Sequence, residues 1–152
     1  MNIVLDTEQF HPQSVFFHDA VKSTVMDDSD FVRICYSNAL FSLNGVLLKL
    51  HIRTSAVEKY FNKYKCSYDV GANREEICRV TGIEREILQR LNSRKRPNYR
   101  ISEQLHTGNI KLFTDHVESK VPDEYILKIS GVWETDTDYG LTYKFMDVGR
   151  QD

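Results

Sequence analysis

The C-terminal stretch Tyr125–Met146 constrains the fold more than any other part of this 152-residue chain. Two apolar, β-favouring segments, Tyr125–Trp133 and Leu141–Met146, flank the polar connection Glu134–Gly140, and this pattern predicts a β-hairpin. An isolated two-stranded hairpin is marginally stable in water, so the rest of the chain must supply strands or a helix that cover its apolar face.

Side-chain alternation predicts which hairpin residues are buried, because successive side chains of a strand point to opposite faces. The predicted inner face carries Leu127, Ile129, Gly131, Trp133, Leu141, Tyr143 and Phe145. On this parity Trp133 belongs to the core rather than to an exposed stacking surface.

Length and composition predict one globular domain over residues 1–152, since 41% of the residues are apolar and can form a sizeable core. No apolar run approaches the roughly 20 residues that span a bilayer, and the first residues do not resemble a secretory signal. We therefore expect an intracellular protein, in the cytoplasm or nucleus, with no membrane partner. Cys35, Cys66 and Cys78 show no CxxC spacing, which predicts free thiols and no zinc site.

Charge is distributed unevenly along the chain. Residues 1–31 contain six acidic residues and one lysine, and residues 113–152 contain nine acidic and four basic residues. Residues 32–112 contain fifteen Lys or Arg and seven Asp or Glu. A basic middle between acidic ends is typical of a protein with a polyanionic partner.

Residues 1–53 are predicted to form strands. Phe31–Tyr36 and Val46–Ile52 are apolar and β-favouring, and Asn44-Gly45 before the second segment predicts a type I′ hairpin turn. On that segment Lys49 and Arg53 share the face opposite the apolar side chains. This face is either solvated or part of a groove that follows a nucleic-acid backbone.

The middle of the chain, residues 54–105, is predicted to be a helical and basic insertion. Thr54–Lys65 shows apolar residues at helical spacing, and Asn73–Asn92 is the clearest helical region. Gly82 leaves two alternatives open for that region: one continuous helix, or two short helices around a turn. In the second case the stretch resembles a helix-turn-helix of the repressor type, with a supposed recognition surface of Glu84, Arg85, Glu86 and Gln89.

The segment Ser93–Arg100 follows as a basic arm. Four cations surround Pro97 and Tyr99, and Pro97 favours an extended backbone. Such an arm can neutralise phosphates and stack a base, or it can be a solvated loop. Closing strands and the hairpin are predicted over residues 109–146.

Catalytic signatures are missing from the sequence. It contains no P-loop, no GxSxG, no HExxH and no GxGxxG motif, and its five histidines have no obvious partners in sequence. We therefore expect a non-catalytic protein without a cofactor or metal.

Two strings of the predicted hairpin, Lys128–Trp133 and Tyr139–Phe145, resemble the small single-stranded-DNA-binding proteins of large eukaryotic DNA viruses. The resemblance implies an oligonucleotide-binding (OB) type of β-core and a role in DNA replication. With the pattern above, the expected fold is α+β: a mostly antiparallel β-core, as an OB-like barrel or sandwich, with a two- to three-helix insertion.

Single-strand binders combine a cationic groove with aromatic platforms. The candidate phosphate contacts are Lys49, Arg53, Arg94, Lys95, Arg96, Arg100, Lys111 and Lys144, and the candidate platforms are Tyr99 and Tyr139. Two other functions stay open: a helix-turn-helix binder of duplex DNA using residues 73–92, and a viral structural or assembly protein that acts through protein contacts. Homo-oligomerisation is also left open.

Overall fold

The computed structural model describes residues 3–23, 28–113 and 121–148. These residues form an α+β fold with a β-rich core, as the sequence predicts. The helices are α1 (Arg74–Leu91) and α2 (Arg100–His106). The strands are β1 (Val4–Asp6), β2 (Val15–Phe17), β3 (Val21–Lys22), β4 (Asp30–Ser37), β5 (Ser42–Asn44), β6 (Val46–His51), β7 (Ala56–Tyr60), β8 (Lys63–Ser67), β9 (Arg96–Asn98), β10 (Asn109–Leu112), β11 (Glu124–Glu134) and β12 (Asp138–Asp147).

Nine of the strands form one sheet with β11 at its centre. The predicted C-terminal hairpin is confirmed, because β11 and β12 pair in antiparallel register from Tyr125↔Asp147 to Glu134↔Tyr139. On its other edge β11 pairs first with β6 and then with β4. Strand β1 adds in parallel to β6, and β9 adds in parallel to β12. The remaining strands β2, β3 and β5 pair with β4.

A β-bulge in β11 corrects the predicted position of Trp133. The register shifts between Ile129 and Gly131, so the extra residue Ser130 moves all later side chains to the opposite face. Leu127, Ile129 and Val132 therefore join the hydrophobic core. Trp133 is buried, as predicted, but on the other side of the sheet.

The predicted hairpin turn at Asn44-Gly45 is wrong. Strand β5 pairs with β4, whereas β6 pairs with β1 and β11, so β5 and β6 do not pair with each other. A type I′ turn requires positive φ at both central residues, and only Gly45 has it, with φ +81°. A Cβ on Gly45 would lie 2.8 Å from the carbonyl oxygen of Ile129, so glycine lets the chain bend closely against β11.

The predicted helix over Thr54–Lys65 is also wrong. This segment forms the antiparallel strands β7 and β8, and β10 pairs with β8 to complete a separate three-stranded sheet. Alternation places Cys66 opposite Val57 and Ile110, where the thiol is fully buried. Burial of this strand face outweighs the helical spacing of the aromatic residues, and Phe61 is fully exposed at the turn.

Helix α1 runs without interruption through Gly82, so the predicted alternative with a turn at that residue is wrong. Its inner face buries Ile77, Val80, Ile87 and Leu88, as the apolar spacing predicts. These side chains share one hydrophobic core with the inner face of the large sheet. The helix-turn-helix interpretation of residues 73–92 thereby loses its structural basis.

Glu84 does not belong to an exposed recognition surface. It is 1% exposed, and its two carboxylate oxygens accept hydrogen bonds from the backbone N–H groups of Ile101 and Ser102, both at 2.9 Å. These N–H groups belong to the first turn of α2, which has no intrahelical acceptor for them. Glu84 therefore fixes α2 against α1.

Gly82→Ala is expected to raise the free energy of unfolding by about 1 kcal/mol, because alanine is favoured over glycine inside a helix. No heavy atom lies within 4 Å of a Cβ at this position. Urea unfolding measures the change. Gly131→Ala is the contrasting control: its Cβ would collide with the Val32 carbonyl oxygen and lie 2.7 Å from Cζ of Phe31, and overpacking of this kind costs about 3 kcal/mol. A destabilised Gly82→Ala protein would contradict the continuous helix.

Glu84 also makes stability depend on pH. Burial raises the pKa of its carboxyl group above 4.5, although the two backbone N–H groups act in the opposite direction. A raised folded-state pKa stabilises the fold fully below the unfolded pKa, and this contribution is lost as pH rises through the folded pKa. The free energy of unfolding of the wild type, minus that of Glu84→Gln, should therefore fall as pH rises from 4.5.

Urea titrations at a series of pH values measure this difference. Glu86→Gln is the matched control, since it removes an exposed carboxylate from the same helix. A difference for Glu84→Gln that stays constant or grows with pH would contradict the assignment.

Candidate nucleic-acid interface

The large sheet has an outer face that points away from α1. Cross-strand register places on it Phe31 and Arg33 from β4, Lys128 and Trp133 from β11, and Lys144 from β12. The face exists because Gly131 lies between β4 and β12 with no side chain. Phe31 packs directly above this glycine, as shown by the short distance from its ring to a Cβ placed there.

Three cations of the outer face are unneutralised. Within the described part of the chain, Arg33, Lys128 and Lys144 form no ion pair with an acidic residue. Arg33 and Lys144 are exposed and Lys128 is half-buried. These three side chains can bind anionic groups without first breaking an existing ion pair.

A shallow cavity on this face joins aromatic and cationic groups. It has a volume of about 220 Å³ and is lined by Phe31, Arg33, Asn44, Lys128 and Ser130. The bulged residue Ser130 is thus one of the residues that line it. The outer face continues onto β2, where Phe16 is directly opposite Cys35 and is 52% exposed.

Trp133 lies at the other end of the outer face, beneath Arg100. The guanidinium carbon of Arg100 is 4.3 Å from the indole centroid, which is a cation–π contact. The indole also packs on Gly140, where a Cβ would lie 2.8 Å from Cζ2. Within the described residues, the buried Nε1 of Trp133 has no hydrogen-bond partner.

The predicted cations of β6 lie close to acidic residues. Lys49 shares the outer face, but its Nζ is 3.9 Å from Oε2 of Glu124. His51, next on the same face, is 3.4 Å from Asp6 and 3.3 Å from Glu124. This end of the sheet therefore has mixed charge rather than a basic ladder.

The predicted basic arm is an edge strand of the sheet rather than a free arm. Lys95 Nζ is 3.3 Å from Glu134, and the Arg96 guanidinium is 3.0 Å from Asp138. The hydrogen bond from Arg96, followed by that from Asn98, lowers the pKa of Asp138. Arg94 is exposed and forms no ion pair with the described residues. Of the four cations of the predicted arm, Lys95 and Arg96 are therefore paired, whereas Arg94 and Arg100 form no ion pair with the described residues.

Neither predicted aromatic platform presents an open ring. Tyr139 is 5% exposed and belongs to the hydrophobic core. Tyr99 is half-buried, packs against the core, and has the guanidinium carbon of Arg85 at 5.9 Å from its ring centroid. A base does not reach either ring without rearrangement.

The two remaining candidates lie away from the outer face. Arg53 lines a cavity of about 700 Å³ whose other residues include Glu75, Glu76 and Glu124. Lys111 lies on β10 in the three-stranded sheet, facing Lys65. The ten predicted residues therefore do not form one site.

Sequence reasoning overlooked Phe31, Arg33 and Lys128. The alternation of Phe31, Arg33 and Cys35 against Val32, Ile34 and Tyr36 was visible, and it identifies one face of β4 as non-core. The pairing of this face with Trp133 and Gly131 depends on the bulge at Ser130, for which the sequence offers no signal.

Within residues 3–23, 28–113 and 121–148, no three His, Cys, Asp or Glu side chains are grouped as metal ligands, and no helix is long and apolar enough to cross a bilayer. Cys35, Cys66 and Cys78 are free thiols. Comparison with protein-family models, with curated proteins and with solved structures finds no match to this chain.

Arg100→Gln is expected to uncover Trp133, the only tryptophan in the chain. Loss of the cation–π contact should shift tryptophan emission to longer wavelength, increase quenching by acrylamide, and lower the free energy of unfolding by about 1 kcal/mol. Arg94→Gln removes a nearby exposed arginine and serves as the control. Unchanged quenching in Arg100→Gln would contradict the observed cover.

Proposed function

We propose that this protein binds single-stranded nucleic acid, without catalysis, on the outer face of its large sheet. The observation that carries the proposal is that Arg33, Lys128 and Lys144, which form no ion pair within the described residues, share one surface with the half-buried ring of Phe31. Single-strand binders use this combination, since cations follow the phosphates while bases stack on aromatic rings. DNA is favoured over RNA by the resemblance of Lys128–Trp133 and Tyr139–Phe145 to viral single-stranded-DNA-binding proteins.

Each group has a distinct role in the proposed complex. Lys128 and Lys144 are directly opposite each other on β11 and β12, so they present two positive charges side by side to a backbone. Phe31, beside the cavity, offers a ring on which a base can stack. Trp133 is covered by Arg100 and is not a stacking surface, but the exposed Arg100 guanidinium can contact a phosphate.

The shape of the surface favours a single strand over a duplex. Base stacking on Phe31 requires a base whose face is free, which a paired duplex does not offer. No element of the described fold supplies the alternative, because α1 is continuous and its residues Glu84 and Ile87 are buried. The proposal therefore replaces duplex reading by residues 73–92.

The test replaces Lys128 and Lys144 together by glutamine. We expect the slope of log K against log salt to flatten by about 0.7 for each lost phosphate contact, which is about 1.4 for the pair and about a 25-fold loss of affinity near 0.1 M salt. Fluorescence anisotropy with a labelled oligothymidylate and with a scrambled duplex measures both quantities. The wild type should prefer the single strand.

The matched control is Arg53→Gln with Arg74→Gln, which removes two exposed positive charges that do not belong to the set of Arg33, Lys128 and Lys144. This control should keep the wild-type slope. If both double variants lose affinity equally, the loss comes from the change in net charge, and the outer face is refuted as the site. Absence of binding to either oligonucleotide at low salt would refute the function and favour a structural or assembly protein.

A further inference from the structure

We propose that the outer surface of the three-stranded sheet is a second nucleic-acid contact, which we call the lysine ribbon. It consists of Tyr60, Lys63, Lys65, Asn109 and Lys111, with Phe61 at the β7–β8 turn. The inference rests on the proposed function, because it assigns the same class of ligand to a second surface. It adds a site apart from the outer face, and of its lysines only Lys111 was among the candidates from the sequence.

Register places three lysines on one face of this sheet. Lys63 and Lys65 are two residues apart on β8 and therefore share a face, while Lys65 and Lys111 are directly opposite on neighbouring strands. They line a cavity of about 260 Å³ with Tyr60 and Asn109, and no acidic residue lines it. The cavity thus presents positive charge, a phenol and an amide.

The lysines remain unneutralised although an acidic residue is near. Glu58 is directly opposite Lys65 on β7, but its carboxylate accepts a hydrogen bond of 2.7 Å from the Tyr60 hydroxyl. Within the described part of the chain, Lys63, Lys65 and Lys111 form no ion pair. Like charges that face each other across strands destabilise a sheet, and a bound anion removes that repulsion.

Phe61 adds an aromatic ring that is not packed in the protein core. It is fully exposed, and its φ of +38° is a strained backbone value for a residue with a large side chain. Phe113, at the end of β10, is 72% exposed. Exposed rings beside lysines provide stacking surfaces next to phosphate contacts.

These features fit a nucleic-acid strand better than a lipid surface. The lysines follow the strands and surround a cavity, so a linear polyanion that lies along β8 meets all three. A bilayer that received Phe61 would also receive the neighbouring polar Asn62. The ribbon is therefore assigned to the phosphates and bases of a single strand.

The experiment compares two triple variants of the full chain. The first variant replaces Lys63, Lys65 and Lys111 together by glutamine and so removes three phosphate contacts. The slope of log K against log salt should therefore flatten by about 2, and the affinity near 0.1 M salt should fall about a hundredfold. The corresponding lysine-to-arginine triple variant keeps the charges and should bind as the wild type does. The probe is a labelled oligothymidylate of about 30 nucleotides, longer than the roughly 4–16 that one OB fold covers.

Phe61→Ala tests the ring separately. Because the side chain is fully exposed, the substitution removes no packing from the protein core. We expect weaker binding to the oligothymidylate with an unchanged salt slope, since no charge is removed. Thermal melting of all variants verifies that they are folded.

The outcomes separate this inference from the proposed function. The ribbon is overturned, and the proposed function stands, if the glutamine triple variant binds with wild-type affinity while the Lys128→Gln and Lys144→Gln double variant binds more weakly. Weakened binding in both supports the two surfaces. Binding lost only in the ribbon variant supports the ribbon and overturns the outer face. No oligonucleotide binding by the wild type overturns both, and lysine-dependent binding to phosphatidylserine vesicles would then reassign the ribbon to a membrane.

Discussion

The close approach of β4 to β11 at Gly131 is the constraint on which the rest of the structure depends. Strand β11 changes partner on one edge from β6 to β4, and the bulge at Ser130 accommodates that change. Any side chain at residue 131 would meet the backbone of Val32 and the ring of Phe31. The same bulge reverses the parity of β11, so Val132 enters the core while Trp133 turns to the outer face. A defect in strand regularity thereby creates the aromatic part of the candidate site.

Buried carboxylates hold both helices in place on the inner side of the large sheet. Glu76, on α1, accepts a hydrogen bond from the Thr7 hydroxyl at 2.6 Å and one from the backbone N–H of His51 at 2.8 Å. Glu84, further along the same helix, holds the first turn of α2. Removing either carboxylate would leave buried donors without acceptors, which costs about 1–3 kcal/mol per group. These contacts fix both helices on the inner side, while Arg100 at the start of α2 covers Trp133 of the outer face.

Elements with a local periodic pattern were predicted correctly from the sequence. Elements whose structure depends on strand pairing were not. Alternation in Tyr125–Met146 and helical spacing in Asn73–Asn92 identified β11, β12 and α1, because the periodicity itself is the signal. Thr54–Lys65 carries apolar residues compatible with both periods, and only the burial of Cys66 against Ile110 selects the strand. The candidate site was harder still. Glutamate and aspartate partners of Lys95 and Arg96 lie about 40 residues away in sequence, at Glu134 and Asp138, so their neutralisation is a tertiary property.

Folding also redistributes the charge pattern that first pointed to a polyanion. The basic middle of the chain is partly neutralised by the acidic C-terminal part: Lys49, Lys95 and Arg96 all have partners there. The unpaired Lys128 and Lys144 lie within that acidic part itself. A net charge of −2 is therefore no obstacle to binding a polyanion, because screening over about 8 Å at physiological ionic strength makes a strand respond to the charges it touches rather than to the total. The proposed binding depends on the cations that form no ion pair within the described residues, and two of these, Arg33 and Lys128, line the cavity with Phe31 and Ser130.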